Sequence, residues 1–495
     1  MAYLRPGVYV EESLNLIPPI QSPSSQSIGA FLGTSSKGPT EATLVTSWTQ
    51  YTSLYGSWGT DNTLALGVYL FFANGGNSAY IKRVTGTGAA AAERTFDDRS
   101  VGTDPTLTLT AKNPGEWGNS IYVSIANASV ADSVDITIYS GGTTSAYIVE
   151  QYTDLNMTPS SARYAVTFVN GQSKYVVASD EGSAATGGTR NPSVVSVQPL
   201  AGGTAGGAVT ESDIANAAPA FDTIDNALVL NAPGVTASAA VNVLISYAEG
   251  RDDVFVVVDG INDTVANQLT RAASYTASSL AAVYYPPLVV PNPTSAAVGA
   301  TVTVGAGGAI VGQFMATDAT RGVFKAPAGL NNRISGAVAV NKLTNSELDS
   351  LNSASAAVNA LKFVPGSGIV VMGSRTLKAG YVDKYVPVRR SLIYLRKALT
   401  DLTAFAVFEP NDAALWRRIT ATTETFLSDF WRKGGLRGAT PQEAFFVKCD
   451  GETNPLIKVD NGEVNIEVGV ALQRPAEFVI IKIGQYDGGT TVTVA

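Results

Sequence analysis

Histidine is absent from this chain, and cysteine occurs once, at Cys449. Without histidine there is no Ser-His-Asp or Cys-His arrangement and no His-based metal site. Hydrolase and zinc chemistry become remote. A single cysteine forms no internal disulfide, which fits folding in a reducing cytosol. With no histidine to activate it, Cys449 reads as a small buried residue rather than a nucleophile. Charged residues are also scarce, at 15%, and the net charge is −8, so the global charge gives no reason to expect nucleic-acid binding. No apolar run approaches the roughly 20 residues that span a bilayer, and no signal segment is expected at the N-terminus. What is present is 45% hydrophobic residues in a chain of 495, enough for two to four globular domains.

Familiar cofactor motifs fail on inspection. The Gly-rich TVGAGGAIVGQF offers Gly305 and Gly307, but the third glycine of a GxGxxG fingerprint would fall on Ile310. No GxxxxGK[ST] occurs. The carboxylate pairs Asp252–Asp253 and Glu11–Glu12 read as helix caps or solvated charge. No cofactor, metal or catalytic residue is expected.

The texture of the chain changes along its length. Between residues 28 and 84, SIGAFLG and SAYIKRV read as strands, and TLALGVYLFFANGG as a helix stopped at Gly75–Gly76. From 101 to 209, TLTLTA, SIYVSIA, SVDITIYS, YAVTFVN and SKYVVAS read as an all-β module, with LAGGTAGGAVT as a flexible exit linker. Strand–helix–strand texture follows from 210. The apolar run Val254–Val258 suits a strand of a parallel sheet, buried on both faces. SLAAVYYPPLVV reads as a strand stopped by proline, SGIVVMGSRTL as another, and Thr344 with Glu347 forms a capping box. Near the C-terminus, RRSLIYLRKALTD is helical. PNDAALWRRITATTETFLSDFWRKGG is a long helix capped by Asn411 or Asp412, with Leu415, Ile419, Phe426 and Phe430 on one face.

The two ends share a pattern. PGVYVEE alternates like a strand and is followed by the Pro/Ser-rich SLNLIPPIQSPSSQS. GEVNIEVGVAL and AEFVIIKIGQ read as a hairpin, after which YDGGTTVTVA is a Gly-hinged tail with one more strand. A charge asymmetry stands beside this. Between Arg375 and Arg437 there are twelve Lys/Arg against six Asp/Glu. That segment is a solvated helix face or a docking face for an acidic partner.

These residues resemble the contractile tail sheath family of bacteriophages. RPGVYVEE, FFANGGNSAYIKRV, NPGEWGNSIYV, ATDATRGVFKAPAG, VVMGSRTL, VFEPND, GGLRGATPQEAFFVKCD and RPAEFVIIKI follow the family's signatures in order over most of the chain, least closely across 125–209. Met372 and Ser374 stand where the family often has an aromatic and an alanine.

The resemblance implies a multidomain α/β and α+β fold. It has an N-terminal arm (1–27), the first part of a core α/β domain (28–100), an inserted outer β-rich domain (101–209), a central α/β domain (210–385), an inner C-terminal α+β domain (386–485) and a C-terminal arm (486–495). It further implies that Gly7, Val8, Tyr9, Val10 and Glu11, and Thr490, Thr491, Val492, Thr493 and Val494, are strands donated to neighbouring subunits. Their acceptor would be a hairpin carrying Val464, Ile466, Val468, Phe478, Ile480 and Lys482.

Because the C-terminal domain lies innermost in that family, Arg389, Arg390, Arg396, Lys397, Arg417, Arg418, Arg432 and Lys433 are candidates to face an inner tube. The implied partners are the chain itself, as a helical polymer of stacked hexameric rings, the tail tube protein, and baseplate and terminator proteins. Neither direct nucleic-acid contact nor membrane insertion is expected. The implied location is a virion tail, assembled in a bacterial cytoplasm. A headless contractile device is the nearest alternative. An α/β hydrolase is a weaker one, since the family's central domain has been likened to subtilisin and the chain lacks histidine.

Overall fold

The computed structural model describes residues 27–59, 62–295, 297–380 and 384–477. Along the chain, β1 (Ile28–Gly33), β2 (Thr43–Val45), α1 (Trp48–Tyr55), α2 (Thr63–Ala73) and β3 (Ala79–Arg83) lead into a β-rich excursion. The excursion holds β4 (Glu93–Asp97), β5 (Pro105–Ala111), β6 (Ile121–Asn127), β7 (Val134–Ser140), β8 (Ile148–Leu155), α3 (Ala165–Gln172), β9 (Val176–Asp180) and β10 (Val195–Pro199).

The chain returns through α4 (Glu211–Asn216), β11 (Leu228–Asn231), α5 (Ser238–Arg251), β12 (Val254–Asp259), α6 (Val265–Ala273) and β13 (Ala281–Tyr285). It continues with β14 (Leu288–Pro291), β15 (Thr301–Val304), α7 (Gly307–Arg321), β16 (Ala339–Val340), α8 (Asn345–Ser353), β17 (Val358–Val364) and β18 (Gly368–Val371). The C-terminal part contains α9 (Val386–Thr403), α10 (Ala413–Arg432), α11 (Pro441–Ala444), β19 (Phe445–Lys448), α12 (Leu456–Asp460) and β20 (Glu467–Val470).

The centre is an eight-stranded sheet of order β18-β17-β13-β12-β11-β1-β3-β2. Its six inner strands run parallel, and β2 and β18 close the edges antiparallel. Every residue of β12 is buried, as its unbroken apolar run requires when helices cover both faces. SLAAVYYPPLVV divides at its proline pair. β13 stays in this sheet, and β14 joins β15 and β16 in a separate one.

The β-rich excursion has its own core, including Leu107, Leu109, Ile121, Val123, Ile136 and Ile138. Three expectations about it need correction. YAVTFVN is helical: Ala165 and Val169, four residues apart, are its buried positions, a helix spacing hidden in a β-branched stretch. The module also begins before residue 101, because β4 pairs with β5 and Ala92 and Phe96 belong to its core. Nor is 200–210 a loose linker. Thr204 pairs with Ala90 and Ala201 with Glu93, so entry and exit run side by side. A Cβ added at Gly86 would fall 1.8 Å from the Gly207 carbonyl oxygen, so only glycine permits this approach.

Buried Arg83 fastens the two cores together. Its guanidinium donates to the carbonyls of Ser35 (2.9 Å), Gly38 (2.9 Å) and Pro114 (2.8 Å). Burial lowers its pKa to about 10.

The Gly-rich stretch opens α7, and a protein carboxylate already occupies the helix N-terminus. Asp259 accepts from Gly307 N at 2.6 Å and from Gly234 N at 2.9 Å. An anion would bind at that position, so the site is closed to a phosphate. Burial raises the Asp259 carboxyl above its usual range.

Candidate assembly surface

Helices α9, α10 and α11 and the strands β19 and β20 pack around Leu395, Leu427, Phe430, Leu436 and Ala444. Asp412 caps α10 by accepting from Ala414 N (2.8 Å) and Leu415 N (2.9 Å), leaving Asn411 for another task. Leu415, Ile419, Thr423, Leu427 and Phe430 are buried along one stripe; Phe426 is half-buried at its margin. Tyr394 of α9 stacks on Phe430 with ring centroids 5.6 Å apart.

β20 pairs antiparallel with β19, from Phe445 opposite Val470 to Lys448 opposite Glu467. This partner was not foreseen from the sequence. Of the expected acceptor residues, Val468 lies in β20, while Val464 and Ile466 are half-buried just before it. Phe478, Ile480 and Lys482 lie outside the described residues. So do both expected donor strands, with Gly7, Val8, Tyr9, Val10 and Glu11 at one end and Thr490, Thr491, Val492, Thr493 and Val494 at the other. After β20 the chain is clamped to the central sheet. Arg375 holds Glu477 through two contacts, 2.9 and 2.5 Å, and donates to the Asn352 carbonyl at 2.7 Å.

Residues 384–485 match the sequence family described as the phage tail sheath C-terminal domain. In this part the chain is similar to contractile tail sheath proteins. Solved sheath structures share its fold across nearly the whole length. The sheath complex of the extracellular contractile injection system PVC, in its contracted state, is 22% identical. The match covers 98% of this chain and 99% of that one, with a TM-score of 0.60. The contracted helical sheath of the anti-feeding prophage is 21% identical, covering 98% and 100%, also with a TM-score of 0.60. A sheath tail protein of Listeria innocua is 15% identical, covering 91% and 97%, with a TM-score of 0.62. No curated protein matches the sequence.

The eight basic candidates occupy different settings. Arg390 is buried, binds Asp318 at 2.9 and 2.5 Å, and stacks over Phe314. Its charge is therefore used within the subunit. Arg396 and Arg389 both reach Asp252, at 2.8 and 3.8 Å, joining α9 to the end of α5. Lys397 pairs with Asp401 and Lys433 with Asp429, each one turn along its own helix. Arg418 stacks over Phe405, 4.1 Å from the ring centroid. Arg417 and Arg432 are exposed on α10 and have no acidic partner among the described residues.

Apolar side chains also reach solvent here. Phe408 is fully exposed, and Val407, Leu456 and Ile457 are 65%, 80% and 70% exposed. Their sequence carries no periodic signal, because Val407 and Phe408 lie in a loop and Leu456 and Ile457 in a helix of only five residues. Among the described residues no cluster could hold a metal ion, and no helix is long and apolar enough to cross a membrane.

Proposed function

We propose that the chain is the structural subunit of a contractile sheath. It polymerises helically around an inner tube in an extended metastable state, then contracts to drive the tube through a target cell envelope. The carrying observation is the tail sheath C-terminal domain at 384–485, within a chain whose entire fold follows sheath proteins. The relatives of this fold are sheath components, which supports a non-enzymatic role. One of them is an anti-feeding prophage baseplate structure, which supports association with a baseplate. Tube and terminator proteins complete the proposed partners, and a virion tail assembled in a bacterial cytoplasm is the proposed setting.

The arms at 1–27 and 486–495 would add strands to a neighbour's C-terminal sheet, of which β19 and β20 are the strands among the described residues, since an open sheet edge can take a further strand. A contact between different surfaces of identical subunits builds an open helix. A headless injection device is a second reading, favoured by the matches to PVC and the anti-feeding prophage. Negative-stain microscopy of concentrated protein tests the proposal. Full-length chain should form striated tubes. Protein lacking residues 1–20 or the last ten should stay folded and monomeric. A truncated chain that builds normal tubes overturns strand exchange, and full-length protein that never forms tubes overturns the sheath role.

A further inference from the structure

Phe408 combines two unfavourable features within its own subunit. Its ring is fully exposed, and its backbone adopts φ 67°, a left-handed conformation that bulky residues rarely take. The loop is nevertheless firmly held. Val407 N and Glu409 N donate to the Ala404 and Ala406 carbonyls. Asn411 accepts from Trp416 Nε1 at 2.8 Å and donates to the Glu463 carbonyl at 2.9 Å. A rigidly presented aromatic with no partner among the described residues of its own subunit is the form that anchor residues take at interfaces.

The same chain carries a receptor of matching character. A groove of ≈ 650 Å³ lies among β17, β18, α8 and the Gln473–Glu477 segment. Ala328, Leu348, Val371 and Met372 give it an apolar lining, and Met372 is 50% exposed. Lys325, Lys362 and Arg474 also line it, against Asp349 and the Glu477 already held by Arg375. The Phe408 loop carries the opposite sign, with exposed Glu409 beside the ring and the α10 cap Asp412 beyond it. Apolar knob and apolar groove agree in character, and acidic loop and basic lining agree in charge.

We propose that Phe408 of one sheath subunit seats in this groove of another copy, with Val407 packed beside it. Knob and groove are different surfaces of one chain, so the contact is heterologous and propagates into a helix. The inference rests on the sheath reading and adds a contact independent of the arms.

The test replaces Phe408 with photoreactive p-benzoylphenylalanine in full-length protein and assembles tubes from mixed ¹⁵N-labelled and unlabelled subunits. After irradiation, mass spectrometry should find crosslinks from position 408 to peptides containing Phe324–Gly329, Leu348–Asn352 or Met372–Ser374 of a differently labelled copy. In parallel, Phe408→Asp and Met372→Arg should each leave the circular dichroism spectrum unchanged and lower tube yield at least tenfold. Crosslinks confined to the same copy, to residues 1–26 or 478–495, or to tube protein would overturn the proposal, as would tubes with no crosslink. Wild-type protein that forms no tubes would count against the sheath role itself, so the two failures are distinguishable.

Discussion

Arg390 and Asp318, 72 residues apart, meet in a two-point ion pair that fastens α9 to the end of α7. The Arg390 side chain is 2% exposed and that of Asp318 11%, so water screens little of it. Removing one partner leaves the other charged and buried, which typically costs about 3–5 kcal/mol. Arg390→Met should therefore lower the urea midpoint of the monomer markedly. Adding Asp318→Leu should recover most of that loss, because an apolar pair of similar volume has no charge to desolvate. A single variant with an unchanged midpoint would refute the reading. The pair also joins the C-terminal part to the central sheet, so the single variant should expose α9 to proteolysis first.

The β-rich excursion should be removable only at its paired boundary. Gly86 N donates to Ala205 O at 3.1 Å, and Gly207 N to Thr87 O at 3.0 Å, so the two chain segments already lie together. Joining Gly88 directly to Ala205 should leave the eight-stranded sheet folded. Cutting instead at 101 and 209 strands β4, whose partner β5 is then lost. That product should aggregate. Thermal melts and size exclusion on the two deletions would check this, and equal behaviour would show that β4 is dispensable.

Those boundaries also show what the sequence made legible. Local chemistry read well: Thr344 and Glu347 form the expected capping box, Asp412 caps α10, and Val254–Val258 lies inside a parallel sheet. Each signal is contained in a few consecutive residues. YAVTFVN was misleading because seven residues give a helix and a strand nearly equal apolar periodicity, and packing of Ala165 and Val169 decides between them. The β19–β20 pairing joins segments separated by turns and the short helix α12, and the Arg375–Glu477 clamp spans 102 residues. Neither spacing leaves a pattern in a single sequence. Charge count likewise drew attention to α9 and α10 but could not separate buried Arg390 from exposed Arg417.

Asp98 should make the β-rich module acid-sensitive. Its carboxylate accepts from Ser183 Oγ, Ser100 Oγ (2.7 Å), Ser100 N (2.9 Å) and Asp104 N (3.3 Å). These bonds lower its pKa to about 2 from 3.8. A carboxyl with a depressed folded-state pKa stabilises fully above its unfolded value, and that contribution is lost as pH falls through the folded one. Stability should therefore hold above pH 4 and decline towards pH 2. Asp98→Asn should be less stable at pH 6, with a shallower slope between pH 4 and 2. Parallel slopes for variant and wild type would assign the acid sensitivity elsewhere.

The exposed cations of α10 should govern tube binding, because no ion pair among the described residues cancels their charge. Arg417 and Arg432 lack acidic partners among the described residues, and Arg418 rests on Phe405, which leaves its charge uncancelled. Lys397 and Lys433 are already paired within their helices, and Arg390 is buried. Exposed ion pairs contribute about 0.2–1 kcal/mol each and weaken with salt. Such contacts can hold a sheath on its tube and still release during contraction, since their effect is small per subunit and is summed along the polymer. Reversing Arg417, Arg418 and Arg432 to Glu should abolish co-assembly with purified tube protein at low salt. The fold should survive, because all three side chains point away from the buried stripe of Leu415, Ile419, Leu427 and Phe430. Self-assembly should also persist, yielding empty tubes. Wild-type protein should lose tube binding progressively as salt rises through the range where the Debye length falls below about 10 Å. Normal co-assembly by the triple variant at low salt would return α10 to an ordinary solvated face.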